Sequence, residues 1–326
     1  MARRSRHRRH DRSSRTAPTL PADEVPIDTG TARIEPDPDH SSRVTLHVNG
    51  VPSSCLDLDD PGFLAFEYLQ QMAAVVDLLP AGPVRAVHLG AAGCALPRQI
   101  DHVRPGSRQI GVDVDARLLA LVREWFDLPR SPALRLRAQD GGQALDGLTP
   151  GLADVVVRDA FDGDRTPAHL VGERFADACR RALRPGGVAL ANCADRPPLT
   201  TTRAEVAAFA EAFGPDAAAE HRLAVVAEPA VLKGRRYGNV VVAAVAPSPR
   251  RGATGGRESG AARPEEADDA DGAVDGAVDS DDRHPDTLPD LGSATLGRAL
   301  RSLAVPAQVL TGPALERFVG TTTSPR

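Results

Sequence analysis

From residue 84 onward, short apolar runs alternate with longer stretches in which apolar positions recur every three or four residues. The runs "VRAVHLG", "RQIGVDV", "ALRLRA", "ADVVVRD" and "VALANC" each lead through a turn into a helical pattern such as "ARLLALVREWF" or "GERFADACRRAL". Apolar runs of this length predict strands buried on both faces, as in parallel sheets, and the intervening stretches predict crossover helices. Two further runs, "RLAVVAE" and "NVVVAAV", are separated by only about a dozen residues, too few for a crossover, so they are predicted to pair antiparallel. The pattern predicts a doubly wound α/β domain over residues 81–247 with a mostly parallel, seven-stranded sheet.

Upstream, "RVTLHVNGVPSSCLDL" (43–58) carries Asn49-Gly50 between two strand-like runs, a strong hairpin signal. In "DDPGFLAFEYLQQMAAVVDLL", Asp60 is placed to cap a helix with Pro61 at its first position, and Leu64, Tyr68, Met72 and Val76 recur at i+4. Residues 31–80 are therefore predicted as a small β-hairpin and helix. After residue 290, "ATLGRALRSL" and "PALERFVG" predict two short helices in a tail over 291–326 that docks back onto the domain.

Charge changes the picture at the ends. Seven arginines fall in the first fifteen positions, and residues 1–30 read as a disordered basic arm. Between Glu265 and Asp290 stand eleven acidic residues against one arginine, so 248–290 read as a disordered acidic linker. Its repeat "DGAVDGAVD" lacks the closing Glu of a calcium loop. Cys55, Cys94, Cys179 and Cys193 are scattered without metal-ligand spacing, which predicts free thiols in a reducing cytoplasm and no metal site. No apolar run approaches the roughly 20 residues that span a bilayer, and the Arg-rich start has no apolar segment of a signal peptide behind it.

The candidate chemistry lies just beyond the strand ends, where open α/β sheets bind ligands. "HLGAAGC" places Gly90 and Gly93 after the first strand, where backbone can approach a ligand closely. Asp113 ends the second strand, about twenty residues on, where a carboxylate can accept from ribose hydroxyls. Asp140-Gly141 follow the third strand. The fourth ends in "VVVRDAFDGDRTP", with Asp159 and Asp162 three residues apart. Each aspartate alone could cap a helix or shape a loop; the set points to a nucleoside site.

With these residues in place, the chain over roughly residues 43–245 resembles the spermidine synthase family of polyamine aminopropyltransferases. The resemblance implies the fold of S-adenosylmethionine-dependent methyltransferases with a small N-terminal β-domain. "GVDVDARLLALVREWF" is similar to the family's acidic strand end, placing Asp113 on the ribose. "RAQDGGQAL" puts Asp140-Gly141 at the adenine. "VVVRDAFDGDRTPAHL" resembles the D-x-x-D loop, with Asp159 as base for the attacking amine and Asp162 as the second acid. Tyr68 and Gln70 in "FEYLQQM" match the family's Tyr-Gln substrate contacts loosely. Two departures stand out: Gly93 occupies the place of an acid that binds the donor's amine, and "EPAVLKGRRYGN" brings Lys233, Arg235 and Arg236 to a segment that lines the acceptor.

The implied activity is aminopropyl transfer from decarboxylated S-adenosylmethionine to an amine such as putrescine. A methyltransferase using S-adenosylmethionine itself, or a non-catalytic nucleoside-binding scaffold, remains open on sequence grounds. The expected partner is a small-molecule amine; neither membrane nor nucleic acid is expected, and a homodimer is compatible with the chain.

Overall fold

The computed structural model describes residues 20–163, 165–248 and 288–320. The basic arm up to residue 19 and the acidic stretch 249–287 lie outside the described residues, as does residue 164. The chain opens with a four-stranded antiparallel sheet, β1 (Val25–Ile27), β2 (Gly30–Pro36), β3 (Arg43–Val48) and β4 (Val51–Asp57), in that spatial order. Asn49 and Gly50 both take positive φ, 51° and 78°, and Val48 faces Val51 across the turn, the hairpin geometry that Asn-Gly predicts.

This sheet is larger than the expected hairpin. Pro26, Thr29 and Gly30 break up a short run whose alternation is weak, so β1 and β2 leave no clear period in the sequence. β1 also falls inside residues 1–30, so the segment read as a basic arm ends earlier than residue 30. The following helix, α1 (Glu67–Val76), starts later than Asp60-Pro61 suggested. Asp60 instead accepts from the Gly62 amide in a tight turn (2.9 Å), and the extended Phe66 precedes the first helical turn. The predicted face survives: Leu64, Tyr68, Met72 and Val76 are all buried.

The main domain then alternates as the periodicity predicts. β5 (Arg85–Leu89), α2 (Ala95–Val103), β6 (Arg108–Asp113), α3 (Ala116–Trp125), β7 (Leu134–Ala138) and α4 (Gly141–Asp146) form its first half. β8 (Ala153–Arg158), α5 (Glu173–Ala182), β9 (Leu183–Asp195), α6 (Thr200–Phe213), β10 (Leu223–Ala227), the single turn α7 (Pro229–Leu232) and β11 (Gly238–Val245) complete it. β5 pairs parallel with both β6 and β8, so the topology reverses between β5 and β8. β11 runs antiparallel to β9 and β10, as the short connection requires.

The sheet has eight strands in the order β12-β10-β11-β9-β8-β5-β6-β7, not seven. The C-terminal segment supplies α8 (Ala294–Arg301), β12 (Gln308–Thr311) and α9 (Pro313–Gly320). Both helices match the sequence pattern, but "QVLT" between them is too short to show a strand period. It becomes a strand by pairing with β10 from Ala224 to Ala227.

Beside an apolar core shared by both sheets, polar contacts dock the N-terminal sheet on the main domain. Thr29 donates from its amide and hydroxyl to Asp115 (2.7 and 2.8 Å), which also caps α3 through the Leu118 amide (2.6 Å). Arg98 donates twice to the Asp57 carbonyl, at 3.3 and 3.2 Å. Ser54 accepts from the Gly93 amide at 3.0 Å. These contacts set β4 beside the loop that leaves β5.

The C-terminal segment is expected to be part of the folding unit. Leu291, Leu296, Leu300, Leu315 and Phe318 are buried, each contributing about 1.5–3 kcal/mol, a sum comparable to the whole stability of about 5–15 kcal/mol typical of a domain. A chain ending at residue 290 should lose its cooperative thermal transition or melt at least about 10 °C lower, measured by circular dichroism. An unchanged melting curve would show that the segment only rests on the surface.

Candidate active site

The reversal point between β5 and β8 brings two loops together. After β5 the chain turns at Gly90, whose amide donates to the Val112 carbonyl (2.9 Å), while the Asp159 amide donates to the Leu89 carbonyl (2.8 Å). Gly90 has φ +85°, and a Cβ there would stand 2.6 Å from Ala160 Cα and clash with the Asp159 carbonyl. Only glycine fits both the conformation and the approach.

Asp159, half-buried, is the centre of the site. One carboxylate oxygen accepts from the Tyr68 hydroxyl (2.8 Å) and the other from the Asn192 amide nitrogen (2.9 Å). Burial pushes its pKa above the ordinary carboxylate value, while the bonds from Asn192 and Tyr68 and the nearby Arg158 charge pull the other way. Burial and the adjacent carboxylate push the Tyr68 hydroxyl up, so Tyr68 is a donor and not an acid that ionises. Tyr68 thus meets an expected site residue. Gln70 does not: its amide donates to the Leu64 carbonyl at 2.7 Å.

Asp162 is exposed in a tight turn closed by its amide on the Arg165 carbonyl (2.8 Å). Among the described hydrogen bonds, none joins its carboxylate to Asp159. The two acids therefore differ in environment, one enclosed and one facing solvent.

On the other side of Gly90, Asp113 accepts from the Asp115 amide (3.1 Å) and the Ala92 amide (3.3 Å). Burial raises its pKa against those two bonds. A carboxylate has roughly four acceptor positions, so Asp113 can still accept from a hydroxyl donor. Asp140 caps α4 through the Gln143 amide (3.0 Å) and meets His169 Nε2 at 2.6 Å. Burial opposes ionisation there, but the Gln143 amide and His169 outweigh it and hold the carboxyl below the usual range. Gly141 lies beneath Leu170 and Leu89, each 3.4–3.5 Å from where a Cβ would be.

Gly93 has a different use from the one its position suggested. Its amide is committed to Ser54, and a Cβ would lie 2.6 Å from Ser54 Cβ. It lets the N-terminal sheet pack against the loop. The basic segment after β10 stands at the same end of the sheet. Arg236 pairs with Glu228, while Lys233 and Arg235 line a surface cleft of about 410 Å³ with Val305 and Pro306.

Sequence reasoning missed Asn192, His169 and Arg158. Asn192 had a legible signal, a polar residue inside the apolar run "VALANCA" that needs a buried partner. The thiols of Cys94 and Cys193 are pushed up to about 12 by burial, so neither is a nucleophile at neutral pH. Among the described residues no group of His, Cys, Asp or Glu could hold a metal ion, and no helix is long and apolar enough to cross a membrane.

No family model matches this sequence. The polyamine aminopropyltransferase of Chromobacterium violaceum is 30% identical over 149 residues, covering 45% of this chain and 57% of that protein. The chain thus spans a little over half the length of the curated relatives it matches. A probable spermidine synthase from Corynebacterium glutamicum superposes with a TM-score of 0.73 at 29% identity, covering 94% of this chain and 97% of that one. A spermidine synthase in complex with the transition state analogue AdoDATO shares the fold alone, with a TM-score of 0.51 at 17% identity over 69% of this chain and 73% of that one. The doubly wound α/β sheet, the antiparallel sheet before it and the similarity in sequence together liken this chain to the polyamine aminopropyltransferases and the probable spermidine synthase.

Proposed function

We propose that this protein transfers an aminopropyl group from decarboxylated S-adenosylmethionine to a small amine such as putrescine. The observation that carries the reading is the Asp159 carboxyl. It is half-buried at the reversal point of the sheet, held by Tyr68 and Asn192, with Gly90 and Asp113 on the neighbouring strand ends. Similarity to polyamine aminopropyltransferases and to a probable spermidine synthase supports the same reaction.

The chemistry fits such a carboxylate. The acceptor nitrogen attacks the carbon next to the donor's sulfonium, a C–N bond forms, and the C–S bond breaks with its electron pair going to sulfur. Methylthioadenosine leaves as a neutral thioether, and the proton on nitrogen passes to Asp159. A base with raised pKa takes that proton more readily than an ordinary carboxylate. Most of the remaining rate comes from alignment of the two substrates. Asp113 would hold the ribose through its free acceptor positions, Asp140 and Gly141 would border the adenine, and Asp162 would attract the acceptor's cationic end. The free cysteines fit a cytoplasmic enzyme.

Gly93 offers no acid to the donor's amine, which favours S-adenosylmethionine itself as a second donor to be tested. Calorimetric titration with S-adenosylmethionine, its decarboxylated form and methylthioadenosine separates the readings. The decarboxylated donor should bind more tightly than the carboxylated one; the reverse order would indicate methyl transfer, and no binding would leave a scaffold. Asp113→Ala should weaken nucleoside binding at least about tenfold, since each charge-assisted bond is worth roughly 1.5–3 kcal/mol. Unchanged affinity would remove Asp113 from the site.

Asp159→Asn keeps the size of the side chain but cannot accept the proton. Turnover should fall by about 10²–10⁴-fold with donor affinity nearly unchanged, in a steady-state assay of methylthioadenosine release. A fully active variant would reduce Asp159 to a turn residue.

The pH profile gives an independent check. Asp159 must be ionised to act, so kcat/KM should fall as pH drops through its raised pKa. Tyr68→Phe and Asn192→Ala each remove a bond that stabilises the ionised form. Both should move the acidic limb to higher pH. A limb that stays in place, or moves down, would mean that another group sets it.

A further inference from the structure

Arg158 closes β8, directly before Asp159, and is 1% exposed. Four contacts fix its guanidinium. Nη1 donates to Glu205 Oε1 at 2.5 Å and to the Leu170 carbonyl at 2.9 Å. Nη2 donates to the Asn192 carbonyl at 2.9 Å and to Cys193 Sγ at 3.3 Å. The Phe175 ring lies 5.5 Å from Cζ. Glu205, on α6, is 3% exposed.

The partners are pieces of the site. Asn192 donates to Asp159 with its side chain while its carbonyl is held by Arg158. Leu170 ends the loop that begins at Asp159 and carries Asp162, and its side chain lies over Gly141. One guanidinium therefore ties together both ends of the acidic loop and the strand that orients the carboxyl of Asp159. The planar fork of arginine can hold several acceptors in fixed directions at once, which an ammonium cannot do.

Packing alone does not explain this arrangement. The three residues before it, Val155, Val156 and Val157, are apolar and buried, and an apolar residue at 158 would avoid the desolvation that a buried ion pair carries. The network is also incompletely satisfied: Arg158 Nε, Glu205 Oε2 and Asn192 Oδ1 are buried without a hydrogen-bond partner. A pair kept only for stability has little reason to hold such groups.

We infer that Arg158 and Glu205 form a buried clamp that positions Asp159 and its loop for proton abstraction. Both are positioning residues, since neither touches the reacting atoms, and the catalytic part of this inference rests on Asp159 as the base. Two variants test it. Arg158→Lys keeps a charge opposite Glu205 but cannot reach the Leu170 and Asn192 carbonyls together. Arg158→Met combined with Glu205→Leu replaces the ion pair by apolar side chains and should stay folded, since no buried charge is left unpaired.

In both, kcat should fall at least about tenfold while the donor KM stays within about twofold, as expected when alignment alone is lost. Hydrogen exchange at the Asp159 and Leu170 amides should speed up at least about tenfold, with the amides of β5 and β6 unchanged. Unaltered kcat in either folded variant overturns the positioning role, even if exchange quickens. If the parent protein transfers nothing to any amine, the proposed function fails, and exchange still decides the clamp: faster exchange at 159 and 170 supports it and unchanged exchange removes it.

Discussion

The ends of β5 and β8 approach so closely that no side chain fits between them. The Leu89 carbonyl accepts from the Asp159 amide at 2.8 Å, and a Cβ on Gly90 would run into the Asp159 and Ala160 backbone. That contact is where the strand order reverses, and so where a crevice must open beyond the strand ends. Everything proposed for this protein is arranged about it: the glycine turn and Asp113 on one side, Asp159 and its loop on the other. Were the two strands a residue out of register, the acid would face a different layer of the fold.

Around that contact the aspartates divide by environment. Asp140 is partnered by an amide and His169 and is held below the usual range. Asp113 and Asp159 are raised by burial, with only partial compensation from hydrogen bonds. A carboxylate that must accept a proton gains from incomplete compensation, whereas one that caps a helix gains from being fully bonded. Asp162 stands in an exposed turn, in keeping with the cation-attracting role proposed for it. The same residue type meets distinct environments here because burial and partners differ.

The N-terminal sheet contributes more than cover. Ser54 on β4 occupies the space beside Gly93 and takes its amide, and α1, which follows that sheet, delivers Tyr68 to Asp159. The glycine loop is thereby held from β4 through Ser54 and from β6 through the Val112 carbonyl. Overlap with a probable spermidine synthase over nearly the full length of both chains includes this sheet as well as the α/β domain. The sequence match to aminopropyltransferases covers less than half of this chain, so the shared architecture extends further than the sequence match.

The period of the apolar runs was enough to determine the alternating strands and helices, the antiparallel β10–β11 pair and the Asn49-Gly50 hairpin. These depend on local geometry, in which side-chain direction repeats every two or 3.6 residues. The positions of Asp113, Asp140 and Asp159 beyond strand ends were legible for the same reason. The sequence could not show β1 or β12, because strands of three or four residues have no period and exist only through a partner. Nor could it separate Tyr68 from Gln70, give Gly93 its packing role, or join Arg158 to Glu205 across 47 residues. Those outcomes depend on which backbone comes within about 3 Å of which side chain, the reach of a hydrogen bond, and only the folded chain decides that.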